Sequence, residues 1–469
     1  MSKRVSQLLA VVLLAGASFL EASSHGTYLT IINDDASSRS LVAAKCMSDD
    51  VDAKTSNFAI SAGYSRTWGS NKIGTYFMPD AVDTNTVTLD ASAPATTAVD
   101  SSRIIRLNTG TALHAAVSSS VLPDATVTVS PVSTKFALGL SYCQDLKNVM
   151  EGAWFKLGVS LARVKNDLNA VVTAGAKDST VNITVDGLLK GDTPATTGYA
   201  AAALAYGKIS ANYAPDAQTR PEEVNMRLGY EFVSNDSGTF GGYVSGIIGL
   251  GTEPTMEWAF ESVVGHRNFG VGAGLQGCVQ LSSGEDYRMS LNINGQAHYL
   301  FARDDYRLGK MTGLTGNTNW MRYWLATDGT TKAPLANFLR QKVSVTPRYT
   351  VDLGAQFIYA GECTQFDVGY AMNYRAKEDN KLATAWNDAL VNAYDAGAVV
   401  SATTAIKAAN ISWNEDSQLL HTIHGGVLYS MKDMENPVTV GLGGSVSLAN
   451  DSTRTEQHWS IFGKLGVSF

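Results

Sequence analysis

The stretch HWSIFGKLGVSF, residues 458–469, ends the chain and decides its fold. In a β-strand, successive side chains point to opposite faces of the sheet. Trp459 and Ile461 therefore share one face with the terminal Phe469, whereas Lys464 lies on the other. A strand that is apolar on one face and polar on the other fits a wall between lipid and a water-filled interior.

The same alternation recurs along the chain, and several of its runs are longer than an average globular strand. Their length fits the roughly 9–11 residues that a tilted membrane-spanning strand needs. Tyrosine and tryptophan gather near the ends of the runs, where a membrane barrel places its interfacial aromatic residues. Clear examples cover residues 224–232, 287–301, 343–359, 366–374 and 438–448.

The number of strands follows from the links between them. If both ends of the barrel are periplasmic, short inner turns alternate with long outer loops. Counting back from Phe469 predicts about 16 strands, with 14 and 12 as alternatives. This count includes strands at 27–33, 71–78, 199–210 and 256–264, the last of which keeps the stretch 165–198 outside. The predicted outer loops lie near 79–133, 165–198, 303–341 and 376–417.

The N-terminus predicts export. Two basic residues precede an apolar segment, residues 8–17, which is too short to span a bilayer, and small residues follow it. We predict a signal peptide over residues 1–22, with cleavage after Ala17, Ala22 or Ser24. The alternative is a buried strand or helix of the mature fold.

The final strand, the alternating runs and the signal peptide together resemble bacterial outer-membrane β-barrel proteins as a class. The resemblance covers the chain from about residue 57 onward. In that class, a C-terminal aromatic residue such as Phe469 is read by the barrel-assembly machinery. The resemblance therefore implies this machinery and outer-membrane lipid as partners, and it leaves a homotrimer open as the assembly. The predicted fold is all-β, a single antiparallel transmembrane barrel over residues 23–469.

Composition excludes several other classes. Charged residues make up 17% of the chain, against about 25% in typical soluble domains. Beyond the N-terminus, no uncharged apolar run is long enough for a transmembrane helix. The net charge of −7 disfavours nucleic-acid binding. Cys46, Cys143, Cys278 and Cys363 form no CxxC pair, so we interpret them as small apolar residues or one disulfide.

Motifs for catalysis are weak. Residues 272–277 match GxGxxG, but they lie inside an alternating strand and another strand follows, whereas a dinucleotide site needs a helix there. His421 and His424 would point to opposite faces of a strand and so share no metal. No GxSxG elbow or P-loop is present. We therefore expect neither an enzyme nor a cofactor or metal site.

The inward face carries the functional prediction. An Arg or Lys facing lipid at mid-bilayer costs about 2–4 kcal/mol, so charges within the strands should face inward. Charges that line a pore set its selectivity. The alternative is a salt-bridge network that stiffens a narrow barrel. The predicted pore-lining residues are the cations Lys156, Arg227, Arg288, Arg348, Arg375 and Lys464 and the anions Glu231, Asp352 and Asp367.

Together these features predict a porin-like channel for passive diffusion of small polar solutes, with a weak preference for anions. Leu382, Trp386, Leu390 and Tyr394 recur at every fourth residue, which is typical of one helix face. Such a helix would either narrow the barrel mouth or lie on its rim. The alternative function is a closed barrel for adhesion or outer-membrane structure. Barrel size separates the two, because about 16 strands leave an aqueous channel and about eight are filled by side chains.

Overall fold

The computed structural model describes residues 56–78, 84–90, 104–106, 125–174, 185–192, 203–210, 215–312, 320–323, 325–327, 332–386, 406–449 and 457–469. The predicted signal peptide, the predicted strand at 27–33, Cys46, Leu390 and Tyr394 lie outside these residues. No helix among the described residues is long and apolar enough to cross a membrane.

Twelve antiparallel strands of the described chain close into one barrel. Each strand pairs with the strands that precede and follow it along the chain, and the last pairs with the first. The strands are β1 (Ser56–Trp68), β2 (Val132–Asp145), β3 (Ala153–Asp167), β4 (Gln218–Asn235), β5 (Gly238–Gly249), β6 (Phe269–Ser283), β7 (Arg288–Leu300), β8 (Arg348–Ala360), β9 (Thr364–Arg375), β10 (Gln418–Met431), β11 (Val438–Ala449) and β12 (Gln457–Ser468).

The C-terminal strand closes the barrel, as the sequence predicts. β12 pairs with β1 over its whole length, from Trp68↔Gln457 at one end to Asn57↔Ser468 at the other. Beyond this ladder, the backbones of Ser56 and Phe469 exchange two hydrogen bonds of 2.9 and 3.0 Å. The closure leaves no free sheet edge, which a barrel in lipid requires.

The alternation of side chains gives the barrel two different surfaces. On β12, Trp459, Ile461 and Leu465 are exposed on the outside, whereas His458 and Ser460 are buried inside. The outer wall keeps this character around the barrel, with large apolar residues exposed on every strand. The barrel is thus closed, even-numbered, apolar outside and polar inside, as outer-membrane barrels are.

The two ends of the barrel differ. At the turn end, the strands are joined by short links: 146–152, 236–237, 284–287, 361–363 and 432–437. At the loop end, the links are mostly long: 69–131, 168–217, 250–268, 301–347, 376–417 and 450–456. Both chain termini of the barrel lie at the turn end.

The predicted count of about 16 strands is wrong, although the barrel falls at the lower end of the predicted range. Residues 71–78 form α1 (Ser70–Gly74) and a 3-10 turn (Thr75–Phe77) instead of a strand. Residues 203–210 and 256–264 contribute only the isolated bridge Lys208↔Trp258. Since the described residues 203–210 form no barrel strand, the links 168–217 and 250–268 lie at the same end, and the strand count needs no extra strand at 256–264.

The run at 343–359 is also divided. Its first part lies in a separate strand, Arg340–Val345, and the barrel strand begins only at Arg348, which adopts a positive φ of 64°. A second correction concerns residues 79–133. They were predicted as a surface loop or small extracellular excursion with little strand periodicity, and their described part contains the strands Thr86–Asp90, Ile104–Arg106 and Ala125–Thr128.

The described residues of the five long links form a folded unit, here called the cap: 69–131, 168–217, 250–268, 301–347 and 376–417. The three strands just named pair with one another and with Val171–Ala174 in a four-stranded sheet. The other strands are Arg303–Leu308 with Arg340–Val345 and Lys381–Leu382, Lys310–Met311 with Ile411–Ser412, and Leu325–Thr327 with Lys332–Pro334. The remaining helices are α2 (Val185–Lys190) and α3 (Leu335–Leu339), with 3-10 turns at Trp320–Tyr323 and Ala408–Asn410.

The cap has a hydrophobic core of its own. Phe77, Leu189, Met256, Leu339 and Ile411 are buried in one continuous apolar cluster, and each comes from a different long link. These links start at strands all round the barrel. A shared core therefore draws them together at the loop end.

Candidate functional site

The inward face of the barrel is the candidate site, because its polar side chains line the interior enclosed by the twelve described strands. Residues near the loop end of this face are tightly packed: Thr422 and Ser447 are buried and share a hydrogen bond of 2.8 Å. Towards the middle, Gln296, Asp352 and Gly354 are partly exposed. Nearer the turn end, Asn292 and Gln356 are buried again, so burial varies along the interior.

Inward glycines make room for large inward side chains. A Cβ on Gly274 would lie 2.3 Å from Cζ of Tyr243, its partner on β5, and one on Gly272 would lie 2.3 Å from Cδ2 of His298. A Cβ on Gly369 would meet Nε2 of His424 at 2.4 Å. Large side chains therefore lie flat along the wall over neighbouring glycines. The GxGxxG segment belongs to this packing within β6 and precedes another strand, so it has no dinucleotide context.

A chain of hydrogen bonds crosses the inner wall over these glycines. The Tyr243 hydroxyl donates to Gln296 Oε1 at 3.1 Å, and Gln296 Nε2 donates to Asp352 Oδ2 at 2.8 Å. Asn373 Nδ2 donates to the other oxygen of Asp352. At the other end, the Arg227 guanidinium lies 5.2 Å from the centre of the Tyr243 ring. The network links β4, β5, β7, β8 and β9 and fixes a polar inner surface.

A small polar cavity of about 40 Å³ lies beside this network. Asn292 and Gln356 line it; both are more than nine-tenths buried, and neither polar atom of Asn292 has a protein partner. Oε1 of Gln356 is equally unpaired. A water needs at least about 10–15 Å³ measured this way, so the cavity suits a few water-sized groups.

The structure places seven of the nine predicted pore-lining charges on the inward face. Arg348 and Arg375 lie instead at the loop-end rim. Arg348 is half-exposed and forms an ion pair with Asp379 at 3.2 Å, whereas Arg375 pairs with Glu378 at 2.7 Å. The seven are Lys156, Arg227, Glu231, Arg288, Asp352, Asp367 and Lys464.

The predicted constriction helix is not present in the described part of the 376–417 link. Leu382 lies in a short strand paired with Val343. Trp386 packs on the cap core, and its Nε1 donates to the carbonyl oxygen of Ile406 at 2.6 Å. Of these two residues, Trp386 thus packs on the cap core, whereas Leu382 is only partly buried.

A different link reaches into the mouth. Val264, from the 250–268 link, is fully buried against Ala162 and Val164, which face inward on β3. Beside them, Asn166 of β3 donates its backbone N–H to Ser262 Oγ at 3.0 Å and its side-chain Nδ2 to the carbonyl oxygen of Glu261 at 2.7 Å. Since β3 and this link are separated by β4, the link lies across the mouth of the barrel. We had not predicted this constriction, because 256–264 was interpreted as a strand.

Two buried ion pairs near the loop end were also missed. Lys135 on β2 contacts Glu222 on β4 at 2.6 Å, and both side chains are buried. Glu222 faces inward because a bulge interrupts the pairing of β4 with β3 there. A bulge changes the alternation by one residue, so period-two reasoning assigned no role to this glutamate.

The second pair joins the cap to the barrel rim. The Glu378 carboxylate accepts hydrogen bonds from Arg375 at 2.7 Å, Arg307 at 3.3 Å and Asn380 at 2.7 Å. Burial alone would raise the pKa of the Glu378 carboxyl, but the two guanidinium groups outweigh it and hold this pKa below its usual range. We call Arg307, Arg375 and Glu378 the latch.

Among the described residues, no group of three or more His, Cys, Asp or Glu side chains is arranged to hold a metal ion. His421 and His424 point to opposite faces of β10, since His424 pairs with inward Gly369 and His421 with outward Met372. His421 accepts or donates a hydrogen bond with the Tyr370 hydroxyl at 2.6 Å on the outer wall.

Comparison with known proteins adds to the architecture. No protein-family model and no curated protein sequence matches the chain. An outer membrane channel from Pseudomonas putida F1 is similar in structure at 9% identity, with a TM-score of 0.38 over 90% of this chain and 98% of that one. The translocator domain of the autotransporter NalP from Neisseria meningitidis has 7% identity and a TM-score of 0.34, over 92% and 96% of the two chains.

A mutant of the TodX monoaromatic hydrocarbon channel has 8% identity and a TM-score of 0.39, covering 89% of this chain and 90% of that one. The TM-scores of these likenesses are 0.39 or less, so fold and function alike are argued from the chain's own residues.

Proposed function

We propose that this outer-membrane barrel is a narrow channel for small polar solutes, with its loop-end mouth restricted by the 250–268 link. The observation that carries the proposal is the polar inner surface of the barrel. Its large side chains pack over inward glycines, and hydrogen bonds join Tyr243, Gln296 and Asp352. A polar lining supports the passage of polar solutes, which an apolar filling of the barrel would exclude. Passage is passive and involves no catalytic step or cofactor.

The lumen charges support little selectivity between ions. The rim cations Arg348 and Arg375 are held in ion pairs, and Glu223 joins the inward face. Apart from the Lys135–Glu222 pair, five cations then face five anions, so the weak anion preference predicted from the sequence is reduced. The set comprises Lys156, Arg220, Arg227, Arg288 and Lys464 with Asp145, Glu223, Glu231, Asp352 and Asp367.

Single-channel recording of the purified full chain in a planar bilayer tests the proposal. We expect a small conductance and a reversal potential close to neutral in a salt gradient. Replacing residues 253–263 by a short Gly-Ser linker should raise the conductance, because it removes the constriction. Deleting residues 382–394 should raise it less. Absence of conductance in all three proteins would contradict the channel.

The second candidate is a surface role, in adhesion or in outer-membrane structure. The folded cap favours it, since a core with Phe77, Leu339 and Ile411 presents a defined surface rather than flexible loops. Under this alternative, the barrel is an anchor, and removal of 253–263 leaves it non-conducting.

A further inference from the structure

The charges on the outer wall have an uneven distribution. The outward positions of the twelve described strands carry only four Asp, Glu, Lys or Arg residues: Arg66 on β1 and Arg163, Lys165 and Asp167 on β3. All four lie in the last few residues before the loop end. Charge on a lipid-facing wall is costly at mid-bilayer and tolerated near an interface, so their depth is expected, but their concentration on one sector is not.

The register brings the three cations together. Arg66 pairs with Thr134, and Thr134 pairs with Lys165, so Arg66 and Lys165 flank one outward residue in the same row. In the next row, Phe136 pairs with Arg163. Adjacent strands lie about 4.8 Å apart and residues two apart along a strand about 6.8 Å apart, so these backbones lie within roughly 12 Å of each other. We call Arg66, Arg163 and Lys165 the basic patch.

The patch is open to a ligand. All three residues are exposed, and none forms an ion pair or a side-chain hydrogen bond with another described residue. Asp167 does not neutralise them by a bridge; its Oδ1 accepts the backbone N–H of Asn169 at 2.8 Å. The outer-wall aromatic Trp459 pairs with Arg66 and lies 5.7 Å from the Tyr64 ring, which marks this depth as the membrane interface.

We propose that the basic patch is a binding site for the phosphate-bearing head group of a membrane lipid. Arg and Lys side chains at the edge of an apolar wall extend their charged ends towards the head-group layer. Phosphate oxygens accept strong, charge-assisted hydrogen bonds from guanidinium groups, and two arginines with a lysine can surround more than one phosphate. The neighbouring apolar surface of Phe136 and Leu161 would contact the acyl chains. The site lies outside the lumen and does not depend on conduction.

The test uses the full chain purified in detergent, with diphosphoryl lipid A as the probe and native mass spectrometry as the readout. One variant carries Arg66→Gln, Arg163→Gln and Lys165→Gln. The matched control carries Lys342→Gln, Arg348→Gln and Lys377→Gln. It also loses three positive charges at the loop end, but each of these half-exposed side chains already forms an ion pair. Heat-modifiable migration on a gel confirms that each variant is folded.

We expect the patch variant to bind lipid A about tenfold to a hundredfold more weakly than the unchanged protein, since each cation near an anionic lipid surface contributes about fivefold. The control should retain its affinity. Equal losses in both variants would mean a general charge effect and would overturn the site, as would no loss in the patch variant. Unchanged binding of dephosphorylated lipid A would show that only the chains are recognised. Binding of inorganic phosphate at millimolar concentration, with no binding of lipid A, would assign the patch to free phosphate and overturn the lipid site. Conductance of the patch variant should equal that of the unchanged protein, so the two proposals fail independently.

Discussion

Substitution of Glu378 should release the cap from the barrel rim. The carboxylate is 1% exposed and bonds to two guanidinium groups, at 2.7 and 3.3 Å. Glu378→Ala removes the anion that buried Arg307 and partly buried Arg375 share within the latch. Breaking a buried pair by deleting one partner costs about 3–5 kcal/mol, because the remaining charge stays desolvated. Glu378→Gln keeps the shape but loses the charge, and we expect a cost near the lower end of that range.

Hydrogen exchange followed by mass spectrometry measures this cost locally. We expect faster exchange in the strands Arg303–Leu308 and Arg340–Val345, and little change in β1 or β12. The matched control is Asp379→Asn, one residue along, which breaks the half-exposed pair with Arg348. That pair should contribute about 0–1 kcal/mol. If Glu378→Ala and Asp379→Asn accelerate exchange equally, the latch has no special role and the reasoning is wrong.

Acidity provides an independent test of the latch. The pKa of Glu378 is lowered in the folded protein, so its ionised form is favoured there more than in the unlatched chain. Its contribution is therefore complete above the unfolded pKa of about 4.3 and is lost as the pH falls through the lower folded value. Cap protection should persist at pH 5 and decline only in stronger acid. In Glu378→Gln, this acid-dependent step should be absent.

Three further changes test the barrel. Gly274→Ala should lower the free energy of unfolding by about 1–3 kcal/mol, since its Cβ would overlap the Tyr243 ring. The control is Gly246→Ala, because a Cβ on this outward glycine meets no atom within 4 Å. Denaturant unfolding of the control in micelles should be nearly unchanged. Phe469→Asp should sharply reduce the heat-modifiable, assembled fraction in the outer membrane, and normal assembly would count against the reading of the final strand. Asn292→Leu replaces two unpaired buried polar atoms by an apolar group of similar shape, so we expect equal or slightly higher stability; a loss above about 2 kcal/mol would show that the amide has a partner in solution.

Period-two alternation predicted the wall well because lipid enforces it on every outward position. It failed where a short apolar run faces the cap core instead. Phe77 and Phe260 lie in the runs 71–78 and 256–264, and both are buried in that core, where any backbone conformation that buries them is acceptable. A short apolar run that faces the cap core therefore shows the same alternation as a barrel strand. Counting such runs as strands raised the predicted number from twelve to about 16.

The site was predictable only in part. The inward orientation of charged residues within regular strands, such as Asp352 and Lys464, follows from the alternation of side chains alone. The neutral amides Asn292 and Gln296 lie on the predicted polar face, but the predicted pore-lining set contained charged residues only. Arg307 and Glu378 are about 70 residues apart and meet only through cap packing, for which no local pattern exists.

The origin of the cap core in five separate links dictates an order of assembly. Phe77 follows β1, whereas Ile411 precedes β10, so more than 300 residues separate two members of one cluster. Contacts this distant along a chain form late, after intervening loops have closed. Strands β1 to β10 must therefore be aligned before the core is complete, and the mouth stays uncovered while the wall enters the membrane. Completion of the cap core is therefore a late event of folding, which follows construction of most of the wall beneath it.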